Sequence, residues 1–427
     1  VSAPVHPSRR DLFGLAAGLV GGLTVGVASA TSPPAPAAST GGGPSPEPLP
    51  KLPEATRVIG QASTPTSPRS VFEEAAAQTA GSGKVSGTTF APLQHFSGTL
   101  TPTDLQFQRH HGGIAQVDPR SYQLLIHGLV DKPLRFTIDD LRRFPSVSRV
   151  HFIECAGNGR KAYRAPAPEL TPQLIDGQLN NIEFTGVELK RVLAEAGVKA
   201  EADWLLVEGG DASVMTRSLP MKKGLDDCIL AWASNGEALR PAHGYPLRLV
   251  VPGYEANLCV KWIRRIEAKI GPSMTRDETA DYTDPLPGDK ARQFSFVMDA
   301  KSIILSPSHP MTLRPGFWPI SGLAWSGRGK VARVDVSTDG GKTWSEATLQ
   351  GANTGMAAVR FEHPWTWDGA PTLLMSRCVD ETGYVQPTYA EFVAVRGLGT
   401  DYHFNPIRSW RVAADGAVRF VANPEVA

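Results

Sequence analysis

The sequence predicts an α+β fold, with a mixed α/β domain followed by an all-β immunoglobulin-like domain. Three observations lead there. Short apolar runs closed by Gly or Pro dominate up to about residue 280, two helix patterns interrupt them without regular alternation, and beyond residue 290 only strand and turn patterns remain. High glycine and proline, 42 and 36 residues, favour this turn-rich reading over a helical bundle.

The strand candidates are "SYQLLIHGLV" (121–130), "RVHFIEC" (149–155), "DWLLVEGG" (203–210) and "PLRLVVPG" (246–253), each apolar or β-branched. "TIDDLRRF" (137–144) opens a helix on a Thr followed by acids. "TGVELKRVLAEAG" (185–197) carries Val187, Leu189, Val192 and Leu193 and stops at Gly197. No Gly-x-Gly-x-x-Gly follows a strand, so a dinucleotide fold has no support. "DPLPGDK" (284–290) reads as a hinge. After it, the alternating run Val331 to Val336, the Asp339-Gly340-Gly341 turn and a return near Trp344 give a hairpin of an immunoglobulin-like sandwich, and "TLLMSRCVDETGYVQP" supplies another strand. This part has no clustered titratable groups and reads as a packing or assembly module.

Lys plus Arg number 43 against 42 Asp plus Glu, which argues against a general polyanion or nucleic-acid binder and leaves room for local basic pockets. The four cysteines form no C-x-x-C, which disfavours zinc ribbons and thioredoxin chemistry, and no C-x-x-C-H, so no covalent haem is expected. Arg9 and Arg10 precede a short, Gly-rich apolar stretch ending in "ASA" (28–30). This reads as a twin-arginine export signal over 1–30 rather than a membrane span, placing the protein in the periplasm, exported already folded. A Pro, Ala, Ser and Gly tether covers 31–56. The catalytic part then runs over 57–290 and the sandwich over 291–427.

The chemistry centres on "HFIECAGNGRKAY" (151–163). A buried structural thiol is the bland reading of any cysteine. Cys155, however, ends an apolar run at the mouth of a Gly-rich loop, with Arg160 and Lys161 nearby to favour a thiolate. Cys228, Cys259 and Cys378 lack that setting and read as core, with a disulfide among them left open. A nucleophilic Cys155 needs a base, and no protease-type Cys-His motif is present. As a metal ligand, one thiolate is too few for zinc, so a metal here must bring most of its ligands with an organic cofactor. Anion-handling groups occur in "LQFQRHHGG" (Arg109, His110, His111), where strand alternation puts Arg109 and His111 on one face and His110 on the other. More occur in "PAHGYPLRLVVPG" (His243, Arg248) and in "CVKW" (Lys261).

Four anchors in order, "FQRHH", "CAGNGR", "HGYPLRLVVPG" and "VKW", followed by "AWSGRGKVARVDVSTDGGKTW", resemble the sulfite oxidase family of molybdenum enzymes from about Leu105 to the C-terminus. The resemblance implies a molybdopterin-binding domain followed by a dimerisation domain of immunoglobulin type. It implies one molybdenum held by the cofactor dithiolene and by Cys155. Phe107, Arg109, His111, Asp211, Ser218, His243, Arg248, Val260 and Lys261 match positions holding the pterin and its phosphate. Arg109, Arg160 and Tyr282 match the substrate pocket, where the arginines hold an anionic sulfur-oxygen group and the tyrosine donates a hydrogen bond. Two departures stand out. Gly159 replaces a frequent arginine, and Phe184 replaces a pocket tryptophan, so a less charged, wider pocket is expected.

No haem segment is recognised in the chain, so a separate c-type cytochrome is the expected electron acceptor. The branch these features favour is sulfane dehydrogenase of bacterial thiosulfate oxidation, acting on sulfane sulfur carried by a partner protein, as a homodimer through the C-terminal domain. A periplasmic sulfite dehydrogenase shares every motif. A methionine-sulfoxide reductase of the family lacks the sandwich, a cofactor-free binding protein would hold no metal, and a cysteine hydrolase would leave Cys155 open to alkylation.

Overall fold

The computed structural model describes residues 66–80 and 85–424, and before them only positions 51, 53, 54, 59, 62 and 63. The expected export signal lies outside the described residues, as does the tether save positions 51, 53 and 54. Contacts divide the chain after Arg69, and the elements below all belong to the second unit, Ser70–Ala427.

Two five-stranded sheets build the first half. One runs Glu237–Ala238, Ile229–Ser234, Leu179–Glu188, Ser146–Glu154, with Arg248–Val250 also paired to Ile229–Ser234. The other runs Leu134–Phe136, Leu124–Gly128, Ile263–Lys269, Trp204–Gly209, Thr216–Pro220, with one parallel pairing, between Leu124–Gly128 and Ile263–Lys269. All four expected strands are present, although the one in "PLRLVVPG" shortens to Arg248–Val250. Pro246 and Pro252, which bracket it, cannot donate to a ladder.

Helix Ile138–Arg142 starts where its cap predicts. Thr137 Oγ1 accepts from the Asp140 amide, and the Asp140 carboxylate accepts from the Thr137 amide, a reciprocal capping box. Helix Leu189–Ala196 ends on Gly197 at φ 69°, a left-handed position suited to glycine. Val187, expected on that helix, belongs to the preceding strand, where it pairs with Ser146 and Leu230. Cross-strand packing took it before the helical period began.

The expected hinge at 284–290 is instead a hairpin. Asp284–Leu286 pairs with Lys290–Arg292, and the Asp284 carboxylate also takes Ser295 Oγ at 2.5 Å and Arg396 at 3.4 Å. The C-terminal part is a sandwich of a four-stranded sheet (Lys301–Ser306, Gly316–Trp325, Val359–Trp367, Thr348–Gln350) and a five-stranded sheet (Ser345–Glu346, Val331–Ser337, Thr372–Asp380, Ser409–Val412, Val418–Val421). The sheets are joined across the core by Ser302 Oγ with Ser376 Oγ at 2.9 Å, and by Trp410 Nε1 donating to Ile304 O at 3.1 Å. Trp325 and Trp410 are fully buried there. The predicted hairpin forms, Asp335 facing Glu346 across a turn that Asp339 ties to Ser337 and Thr343. No helix among the described residues is long and apolar enough to cross a membrane.

Candidate active site

Strand Ser146–Glu154 delivers Cys155 to the wall of a cavity that opens to solvent. The loop that follows is stapled by Asn158, which is buried. Its side-chain Nδ2 donates to Glu154 Oε1 (2.9 Å) and Asp176 O (3.2 Å), while its Oδ1 accepts from the Gln178 amide (3.0 Å). Gly159 then turns at φ +85°, and a Cβ there would stand 2.7 Å from Arg408 Nη2. The position is glycine because the C-terminal part fills its space: Arg408 is clamped by Asp176, two contacts at 2.8 Å, and donates to Phe404 O.

Cys155 is half-buried. Burial raises its thiol above the ordinary value, and Arg109 and Arg160 offset only part of that. The expectation that nearby cations favour a free thiolate is thus corrected, since desolvation wins. A metal at bonding distance would supply the positive charge that stabilises a thiolate here.

Of the expected residues, Phe107, Arg109, His111, Asp211, His243, Arg248, Val260, Lys261 and Tyr282 line the same cavity as Cys155. Ser218 and Arg160 do not. Ser218 is buried elsewhere, its amide donating to Glu278 and its hydroxyl to Ser273 O at 3.2 Å. Arg160 turns to Asp401, 3.4 Å away. The expected alternation around Arg109 also fails. Its strand is only Arg109–His110, and His110 lines the cavity together with His111. Phe184 is fully buried, with Arg248 Cζ 5.6 Å from its ring centre, and is not part of the cavity wall. It backs the arginine and does not widen the pocket.

The polar lining is short of partners and rich in buried cations. Lys261 Nζ donates to Arg109 O (3.0 Å) and Ala242 O (3.0 Å) and lies 2.8 Å from His110 Nδ1. Arg248 donates to His243 O and Cys259 O, both at 3.1 Å. Neither cation has a carboxylate partner in these contacts. Burial, then the Arg248 charge, holds Lys261 well below its usual value. Burial and the cations push His110 down to about 4 and His243 to about 3. Within ordinary hydrogen-bond geometry Arg248 Nε, both ring nitrogens of His243, both side-chain polar atoms of Asn257 and Asp211 Oδ1 are buried without a partner. Each such atom costs on the order of 1–3 kcal/mol. The donor set fits a polar, anionic cofactor bound beside Cys155. Among the described residues no three His, Cys, Asp or Glu side chains converge as a metal-binding group, so the metal's other ligands would come with the cofactor.

Several neighbours escaped the sequence reading. Arg217 is buried with its guanidinium carbon 4.5 Å from the Tyr282 ring centre, held by Glu278 (2.9 Å) and Glu255 (3.1 Å). Asn180, Asn257 and Trp262 also line the cavity. Tyr402 places its ring 5.2 Å from that of Tyr282, and His403 donates its amide to Ala156 O at 2.8 Å. Trp262 closes the "VKW" anchor and Asn257 stands just before it, whereas Asn180, Arg217, Tyr402 and His403 sit far from the anchors in sequence, and no spacing rule links them.

Residues 111–276 match the oxidoreductase molybdopterin binding domain and 292–409 the Mo-co oxidoreductase dimerisation domain. Sulfite oxidase of Gallus gallus is 31% identical over 337 residues, covering 71% of this chain and 72% of that protein. Mitochondrial sulfite oxidase of Rattus norvegicus is 29% identical over 333 residues, covering 70% of this chain and 59% of that protein. The matched region thus spans about six-tenths of the rat protein. The crystal structure of the sulfane dehydrogenase SoxCD from Paracoccus pantotrophus superimposes with a TM-score of 0.83 at 45% identity, covering 87% of this chain and 97% of that one.

Proposed function

Because this chain belongs to the sulfite oxidase family of molybdopterin-dependent oxidoreductases, we propose that it oxidises sulfane sulfur carried on a partner protein and passes the electrons to a c-type cytochrome. The setting we propose is the periplasm, after export by the twin-arginine route, with the C-terminal sandwich joining two copies as a homodimer. Similarity to the SoxCD structure, at 45% identity, supports the choice of substrate and of partner. The single observation that carries the chemistry is that Arg248 Nε, both ring nitrogens of His243 and both side-chain polar atoms of Asn257 are buried without partners in one cavity with Cys155 and Lys261.

In this reading Cys155 ligates the molybdenum. Lys261, Arg248, His243, His111, Asp211, Phe107 and Val260 hold the pterin and its phosphate, the cations supplying charge-assisted bonds. When bound, the cofactor supplies oxygen-atom transfer to sulfur and takes up two electrons. The chain's part is to hold and orient. Arg109, fixed by Ser86 Oγ at 2.8 Å and by His110 O at 2.7 Å, presents its charge to the anionic end of the substrate. The Tyr282 hydroxyl lies in a setting where burial, then the neighbouring Cys155, drives its ionisation well above the usual range, so it stays a donor at neutral pH. Molybdenum content and turnover of the parent and of Cys155→Ser, assayed with a thiosulfate-loaded carrier and with free sulfite, test the proposal. Equal metal in both proteins removes Cys155 from the site. Turnover of sulfite alone makes the protein a sulfite dehydrogenase, the reading that the named activity of the Gallus gallus relative favours.

A further inference from the structure

Asp401 holds Arg160, one of the two arginines that the family resemblance assigned to the substrate, just outside the cavity wall. Helix Arg160–Arg164 carries an arginine at each end, one turn apart, and Nη1 of both converges on Asp401 Oδ1, that of Arg160 at 3.4 Å and that of Arg164 closer still. The clasp lies against the Cys155 turn. A Cβ on Gly157 would be 3.8 Å from the Arg160 guanidinium carbon and 3.7 Å from the Asp401 carbonyl oxygen. The same segment backs the cavity wall through Tyr402, whose ring is tilted 35° to that of Tyr282 at 5.2 Å, and is anchored by the His403 amide on Ala156 O. The Asp401 side chain is 43% exposed, so solutes reach it.

We infer that Asp401 is a specificity-determining residue: its carboxylate occupies the anion seat between Arg160 and Arg164 and so disfavours small, doubly charged oxyanions. A sulfur terminus bearing one charge and presented by a carrier protein loses less from this arrangement. The inference rests on the substrate reading above and extends it to charge class. Two guanidiniums shared with one carboxylate leave a single net positive charge where two would attract a dianion. A free oxyanion must either displace Asp401 or bind beside a like charge.

The probe is inorganic sulfate, titrated calorimetrically into the cofactor-loaded enzyme at low ionic strength. Asp401→Asn is expected to bind sulfate about tenfold more tightly than the parent, a modest factor because the site is partly exposed. Asp401→Asn/Arg160→Gln is expected to lose that gain. Asp401→Ala repeats the comparison without an amide that could keep the arginines clasped. Parent-like or weaker sulfate binding in both single variants overturns the inference, as does a gain that survives loss of Arg160. The substrate reading fails by a different result, absence of turnover of the loaded carrier by the parent enzyme, which sulfate binding does not depend on.

Discussion

Lys301 Nζ lies 2.5 Å from Glu154 Oε1, and both side chains are wholly buried. Glu154 immediately precedes Cys155, whereas Lys301 opens the first strand of the C-terminal sandwich. Trp325 Nε1, from the same sandwich, donates to Glu154 Oε2 at 2.8 Å, and Asn158 donates to Oε1. The carboxylate is therefore satisfied from both halves of the fold, and the β-sandwich fixes the loop that bears the cysteine.

Removing one member of such a pair strands the other charge in a dry interior. Lys301→Met is expected to lower stability by about 3–5 kcal/mol, read from the denaturant midpoint. Lys301→Met/Glu154→Gln should recover part of the loss, since no charge is then left unpaired. A single variant as stable as the parent would show that water reaches the pair.

Cofactor retention should follow the buried cations. Lys261→Met and Arg248→Met each remove a charge-assisted donor from the cavity, and each is expected to lower cofactor affinity roughly 10- to 100-fold. Molybdenum per chain after dialysis reads this directly. Ser218→Ala, by contrast, changes a hydroxyl bonded to Ser273 O outside the cavity, so molybdenum content should stay at the parent level.

Gly159→Arg would restore the residue expected in much of the family. Here its Cβ meets Arg408 Nη2 at 2.7 Å and Phe404 Cβ at 3.1 Å, and its backbone sits at φ +85°. Left-handed strain alone costs on the order of 1 kcal/mol, and displacing the buried Arg408–Asp176 pair adds several more. The expected result is a protein that expresses poorly or melts well below the parent. Arg408→Ala added to Gly159→Arg removes the contact with Arg408 but leaves that with Phe404 and the left-handed backbone, and stability is not restored because Asp176 then loses its partner.

What the sequence disclosed and what it hid divide along physical lines. Cys155 and the glycines after it were legible because a strand end and a small-residue loop leave a local signature, and the cap at Thr137 was equally local. Lys261, Arg248 and His243 were singled out by their motifs and line the cavity with Cys155, but their geometry arises only when Lys261 bridges to Arg248 across the chain. Arg160 and Ser218 went astray for one reason, a partner remote in sequence: Asp401 draws Arg160 aside, and Glu278 takes the Ser218 amide. Arg217, Tyr402 and His403 owe their places to the same long-range pairing, which single-sequence periodicity does not encode. The hinge expected at 284–290 became a hairpin because its acid found Ser295 and Arg396.

A pH dependence of stability follows from His151, on the strand that leads to Cys155. It is 6% exposed, and burial first, then the charges of Arg149 and Lys223, pushes its ring down to about 4 from an ordinary 6.5. Between those two values the unfolded chain binds a proton that the folded protein refuses, so stability rises with pH across that window and falls as the solution is acidified. Above pH 6.5 both states are neutral and the effect vanishes. From pH 7 to pH 5 the loss from this one group is about 2 kcal/mol. His151→Leu removes the group, so its denaturant midpoint should decline less over that range than the parent's, by a difference of that size. Parallel curves for the two proteins would mean that His151 takes up its proton without unfolding, and that the strand beneath Cys155 is open to water.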